Sequence, residues 1–394
     1  MLLYDRTALR NLTIQNEATR WHDSQVISQE QIEQIHAQYP CDLHRPNFFI
    51  QVTLFLATLV TMLAGWGLIS LFYFDVKGFG YGLLLISYGT AAYKFLEEII
   101  IKKKGFFRAG LDDALIIFSC GFIVAGLFWL LHARFSSLPV PVYFLIALPV
   151  LAWFAVRFAH PVMTAAIFFA FFATVFSQLL ELGFRARSVL PFLMMLLSVP
   201  IYWSSNRAAT EQRLEPWHQN LLLLKGMSLV MFYLAGNYLV VRELSAGLLA
   251  MPLAPGEDIP LAFIFYGCTA LIPPAYIVYG LKTRDVLCIR IGLFVLAASV
   301  LTLEFYVSLG PPELTLTAAG ALMILLAVTC LRLLDKPLNG YTRKHLLRRM
   351  AESLDAEAFL IAETMAATPE THPPVKGTKF GGGESGGAGA EGDY

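Results

Sequence analysis

Charge is scarce in this chain, and its absence is confined to one region. Only 15% of the 394 residues are charged, against roughly 25% in an ordinary soluble domain. The deficit lies in the middle of the chain, because both ends are normally polar. Formal net charge is zero, so no overall field draws nucleic acid to the molecule. Cysteine is sparse too. Cys41, Cys120, Cys268, Cys288 and Cys330 are far apart, and none forms a C-x-x-C pair. That excludes a zinc ribbon or a dithiol redox motif and leaves cysteine as a small hydrophobe. Residues 1–20 hold no 7–15-residue apolar stretch, so no cleavable signal peptide is expected and the first apolar span would serve as an uncleaved anchor. Catalytic signatures are missing as well: there is no G-x-S-x-G and no H-E-x-x-H, and the eight histidines are scattered. No catalytic residue, cofactor or metal is expected.

What the middle does contain is long apolar runs. A bilayer core of about 30 Å takes roughly 20 apolar residues in helix. Runs of that kind occupy approximately 48–74, 79–100, 111–132, 139–157, 161–181, 188–204, 220–241, 260–281, 286–308 and 313–334. Their length excludes a barrel, whose strands would show about ten residues of alternating polarity. The expected fold is therefore all-α and polytopic, with about ten transmembrane helices. The run at 188–204 is the weakest, being short and carrying Pro191 and Pro200.

Orientation follows from Lys and Arg in the loops. With the N-terminus inside, the inside segments hold Arg6, Arg10, Arg20, Arg45, Lys102–Lys104, Arg108, Arg157, Arg207, Arg213, Lys282, Arg284 and the basic cluster after the last span. The outside segments hold Lys77, Arg134, Arg185, Arg187 and Arg242, a bias of roughly four to one. Both termini are expected to be cytoplasmic, which requires an even number of spans.

Four regions result: 1–47, a cytoplasmic helical hairpin; 48–334, the transmembrane bundle; 335–366, a cytoplasmic amphipathic helix; and 367–394, a Pro/Gly-rich tail expected to be disordered. In the hairpin, Ser28-Gln29-Glu30-Gln31 is a capping box, Ile32, Ile35 and Tyr39 follow at helical spacing, and Pro40 stops the helix. Leu9, Leu12 and Trp21 give the preceding helix a weak apolar face. Two such helices bury little alone and are expected to lean on the bundle or on a partner. Beyond the bundle, Leu347, Met350, Leu354, Ala358 and Ile361 form one stripe, with Arg343, Lys344, Arg348 and Arg349 at its start. That juxtamembrane patch suits anionic lipid.

The run Arg20-Trp21, Val26-Ile27-Ser28-Gln29-Glu30-Gln31, Ile35 and Tyr39, followed by the first span, resembles a family of bacterial multi-pass membrane proteins to which no activity is assigned. Its members open with a helical hairpin bearing an Ile-Ser-x-x-Gln pattern. The similarity covers about 50 residues and implies a bacterial inner-membrane location, with no catalytic residue to carry over. The Gly-rich end, closing on Tyr394, resembles the tails of some membrane-anchored proteins with a TPM domain, although that domain is not found here.

Ionisable residues within spans are the first candidates for function. Lys94, Glu97 and Glu98 lie near the inner end of the second span, and Asp112 and Asp113 begin the third. The i,i+4 spacing of Lys94 and Glu98 permits an ion pair on one helix face. The five residues could form a charge gate or a satisfied interfacial network. Lys225 could snorkel to the interface. Glu304 and Glu313 could frame an outer-face cation site or be ordinary rim acids. Pro273-Pro274 should break or kink the eighth span, freeing carbonyls near 267–272 that either line a cavity or are absorbed by packing. No charge falls at a span's midplane, which argues against an ion-coupled pump.

The leading expectation is a non-enzymatic scaffold or sensor whose partners are membrane lipids and a cytoplasmic protein contacted through 1–47 and 341–394. The alternative is a permease or flippase for an apolar or lipid-like substrate. An enzyme acting on a lipid-linked substrate would need Glu181, Arg185, Arg187, Arg242 and Glu304 to converge.

Overall fold

The computed structural model describes residues 2–23, 26–73, 78–135, 138–182, 184–247, 258–259 and 261–307, with six further positions between 317 and 328; side chains at 184–188, 246 and 303–307 are not included. The chain divides into two units, Met1–Leu309 and Gly310–Tyr394. All the named helices lie in the first unit. The expected amphipathic helix at 335–366, the tail at 367–394 and Glu313 lie outside the described residues, as do most of the span at 313–334 and the side chain of Glu304.

Every named element is a helix. A hairpin of α1 (Arg6–Asp23) and α2 (Gln29–Gln38) comes first. Next come α3 (Phe48–Phe72), α4 (Phe79–Phe95), α5 (Leu111–Arg134), α6 (Val140–Phe158), α7 (Pro161–Glu181) and α8 (Phe184–Ala208). A 3-10 turn (Gln212–Trp217) leads into α9 (His218–Gly236), followed by α10 (Tyr238–Gly247), α11 (Ala262–Thr283) and α12 (Val286–Val307). Seven helices are long and apolar enough to cross a membrane: α3, α5, α6, α7, α8 from Val189 onward, α9 together with its leading turn, and α11. The chain is thus a multi-pass helical membrane protein. Sequential neighbours α4 and α5, α6 and α7, α8 and α9, and α11 and α12 pack as antiparallel pairs, as short connections require.

Several boundaries differ from those the sequence suggests. The span with Pro191 and Pro200 is a 25-residue helix. Helix is the conformation that satisfies backbone groups in lipid, and neighbouring helices absorb the prolines. The apolar run at 220–241 is broken at Asn237, where α9 ends and α10 begins. Past Phe95, α4 continues as a π-helical segment, Leu96–Ile101. A π-turn rotates the residues beyond it, and this one sets which acidic side chain faces inward.

The hairpin forms as its spacing predicts. Ser28 Oγ accepts from the Gln31 amide at 3.3 Å, and Gln31 Oε1 accepts from the Ser28 amide at 2.8 Å. Its small core joins Ala18, Ile32 and Ile35 with Ile14, Ile27 and Tyr39. Trp21 is not in that core; the smaller Ala18, with no exposed surface, lets the helices approach.

Aromatic side chains gather toward both ends of the bundle. Trp129 and Tyr81 pack at 4.7 Å near one end. Trp153, Trp203 and Trp217 lie near the other, with the Arg207 guanidinium 3.6 Å from the Trp203 ring. Paired belts of this kind are the mark of membrane–water interfaces.

Candidate functional site at the seam between hairpin and bundle

The first residues of the chain enter the bundle. The Leu3 amide donates to the Arg157 carbonyl at the end of α6, 3.0 Å away. Tyr4 is buried among Leu96, Ile100, Leu115, Phe154, Phe158 and Met163, residues of four bundle elements. Its ring meets Phe107 edge-on at 4.9 Å. Leu9 of α1 packs against the same cluster. The hairpin therefore shares a core with the bundle, as its small apolar faces require.

The linker after the hairpin is held as well. The His44 amide donates to the Gly105 carbonyl, and the Phe107 amide to the His44 carbonyl, at 2.8 and 3.2 Å. Gly105 and Gly110 have positive φ of 64° and 86°. A Cβ at Gly105 would strike the Asp42 carbonyl, and one at Gly110 the Gln51 carbonyl. Only glycine allows that approach together with that conformation.

Beneath this contact lie the acidic residues singled out by sequence, and the structure separates them. Asp112 is buried and accepts from the backbone amides of Arg108 and Ala109 at 2.7 and 2.8 Å, with the Tyr4 hydroxyl at 3.5 Å. Asp113 meets His160 Nε2 at 3.0 Å. The other ring nitrogen, His160 Nδ1, is buried without a partner. Glu97, turned inward by the π-helical segment, accepts from Arg157 at 2.7 Å and pairs with Lys102 at 3.0 Å. Lys94 and Glu98 are exposed and form no ion pair with each other. The five residues do not converge on one point. Three are anchored, each to a different partner, and the arrangement ties α4, α5, α6 and α7 together.

Burial, then the nearby Asp112 carboxylate, raises the Tyr4 phenol well above its ordinary value. Burial, and the Arg45 guanidinium beyond it, lowers that of Arg108. Arg108 donates to Gln219 at the start of α9, and the Trp217 ring nitrogen donates to the Val156 carbonyl at 3.1 Å. Between α1 and this face of the bundle lies a cavity of about 510 Å³, lined by Arg6, Arg10, Arg45, Arg108, Glu215 and His218 among others.

A second ionic contact was not legible as a pair. Lys225 does not snorkel. It is buried and meets Asp285, in the turn between α11 and α12, at 2.5 Å. Asp285 also accepts from the Cys288 amide at 3.3 Å.

Deeper polar groups are neutral and bond across helices. Asn237 donates to Tyr233 and Thr302 at 2.8 and 2.9 Å. The Tyr238 amide, at the break between α9 and α10, donates to Thr269 Oγ1 at 2.9 Å. Tyr88 donates to the Met62 carbonyl at 2.8 Å. α11 stays helical through Pro273 and Pro274. Pro273 lacks the N–H that would serve the Thr269 carbonyl, and Ser299 of α12 donates to that carbonyl instead at 2.8 Å. This freed carbonyl is absorbed by packing and does not line a cavity. Nearby, Ser198, Tyr202, Ser228, Tyr276 and Tyr279 border a separate space of about 270 Å³.

Among the described residues no cluster of His, Cys, Asp and Glu could hold a metal ion. Glu181 is exposed, and Arg242 meets Tyr238 and Asp258 instead; the side chains of Arg185, Arg187 and Glu304 lie outside the described residues. No family model, no curated protein and no solved structure matches this chain.

Proposed function

We propose that this chain is a bacterial inner-membrane protein without catalytic chemistry of its own, and that its N-terminal hairpin acts as a sensor or scaffold on the cytoplasmic side. The observation that carries this reading is the seating of Tyr4 in the bundle core. A hairpin held by its own leading residues can pass a change at the membrane to a partner, or the reverse. Lipids and a cytoplasmic protein are the proposed partners.

The gathered connections support the orientation. The loops at 102–110, 157–160 and 209–217 are joined to the hairpin or to each other through Arg157, His160, Arg108 and Trp217, and the turn at 284–285 is tied to α9 through Lys225. These are the Lys- and Arg-rich segments, and such segments lie on the cytoplasmic side. Returning to one face at every second connection supports counting α4, with its π-helical continuation, and α12 as crossing helices in this reading. With the span at 313–334, the proposed count is ten, and both termini are cytoplasmic.

Deleting residues 2–45 tests the sensor reading. The truncated chain should insert, yet lose its cytoplasmic partner and any response that depends on it. An unchanged partner set and phenotype would remove the reading.

One observation favours the permease or flippase alternative. An almost wholly apolar cavity of about 430 Å³ opens between α7, α8, α9 and α10, lined by Phe172, Phe176, Leu190, Met194, Met231 and Leu244 among others. Its lining suits an acyl chain. Filling it with Ala235→Phe should block lipid movement in proteoliposomes if it is a transport path, and should change nothing if it merely accommodates boundary lipid.

A further inference from the structure

The cavity at the seam is unbalanced in charge. Arg6 and Arg10 come from α1, Arg45 from the linker, and Arg108 from the α4–α5 loop; Glu215 is the one carboxylate among its lining residues. None of these four arginines forms an ion pair among the described residues. The side-chain contacts of Arg108 and Arg6 are with neutral groups. Arg108 donates to Gln219 and lies 5.4 Å from the Phe107 ring, and Arg6 lies 5.9 Å from the Trp217 ring. The acids just beyond the lining are already engaged: Asp112 by two backbone amides and Asp113 by His160. Burial first, and like charge at Arg45 second, disfavour the charged form of Arg108, against the opposing pull of Asp113 and Asp112.

We infer that this cavity binds a phosphate-bearing anion, which bridges the hairpin and the bundle. Guanidinium groups present paired N–H donors that match two phosphate oxygens at once. The volume, about 510 Å³, lies within the range of small-molecule sites. The same chemistry is offered by a phospholipid headgroup and by a soluble phosphorylated compound. Because two arginines belong to α1 and two do not, occupancy would favour the docked hairpin. In that respect the inference deepens the sensor reading and rests on it.

The test uses the full chain in phosphatidylcholine nanodiscs. Pyrophosphate is titrated in one arm, and phosphatidylglycerol is added to the nanodiscs in the other, with thermal stability and hydrogen exchange over α1 as readouts. Stabilisation by pyrophosphate assigns a soluble ligand, and stabilisation by phosphatidylglycerol alone assigns a headgroup. The double variant Arg45→Gln/Arg108→Gln should weaken binding by about tenfold or more, while Arg20→Gln, outside the cavity, should leave it unchanged. Glu215→Gln should tighten binding, and that gain remains readable if the double variant fails to fold. No stabilisation in either arm, or equal binding by wild type, the double variant and Glu215→Gln, overturns the site. Binding with no change in α1 exchange supports the site and counts against sensing.

Discussion

The seam and the bundle interior handle polarity in opposite ways. At the seam, full charges lie near the helix ends and the buried carboxylates are matched locally, as with Asp112 on two amides and Glu97 on Arg157 and Lys102. In the interior the polar groups are uncharged: Asn237, Tyr233, Thr269, Ser299 and Thr302, bonded between helices. The difference follows from the cost of charge in hydrocarbon, several kcal/mol at the centre and far less near an interface. Function that needs charge is thus confined to the helix ends, while the interior supplies shape.

The contrast between the two regions can be broken in graded steps. The largest effect is expected at the Lys225–Asp285 pair. Lys225→Met leaves a partly buried carboxylate without its cation and should cost about 3 kcal/mol. Lys225→Met/Asp285→Leu should recover part of that loss, though not all, because Asp285 also caps α12 through the Cys288 amide. Unfolding in mixed micelles measures both. Next comes Asp112→Ala, which strands the Arg108 and Ala109 amides and should cost about 2–3 kcal/mol. Asp112→Asn, which keeps an acceptor, should cost less.

A smaller effect is expected in the interior. Ser299→Ala leaves the Thr269 carbonyl without a donor and should cost about 1–2 kcal/mol. In a Pro273→Ala background the restored amide can serve that carbonyl, so the same substitution should cost almost nothing. Equal costs in both backgrounds would mean that Ser299 does not replace the missing amide.

The smallest effect concerns pH. The folded-state value of Tyr4 is raised above its unfolded value of about 10. Its contribution is therefore fully present below pH of about 10 and is lost as pH rises through the folded value, because the unfolded chain releases the proton first. Tyr4→Phe should flatten that alkaline decline in the unfolding midpoint.

The sequence made the helical, membrane-crossing character plain, since twenty apolar residues have few other solutions. It also revealed the Ser28–Gln31 box, whose partners are three residues apart. Other features rest on contacts between distant residues. The apolar pattern runs unbroken through Asn237, so the end of α9 is invisible without Thr302 and Thr269 beside it. Lys225 finds Asp285 sixty positions away. Helical spacing favours a Lys94–Glu98 pair, but the π-helical register places Glu97 inward instead. Tyr4, the centre of the seam, gave no signal at all, being one aromatic residue in a polar head.

Hydrogen exchange over α1 in the full chain, compared between wild type and Tyr4→Ala, measures most directly whether the hairpin is a docked part of the bundle. Docking predicts protected α1 amides in the wild type, and loss of that protection in Tyr4→Ala with α5 and α6 unchanged. Fast exchange of α1 in the wild type, or protection that does not depend on Tyr4, would contradict it.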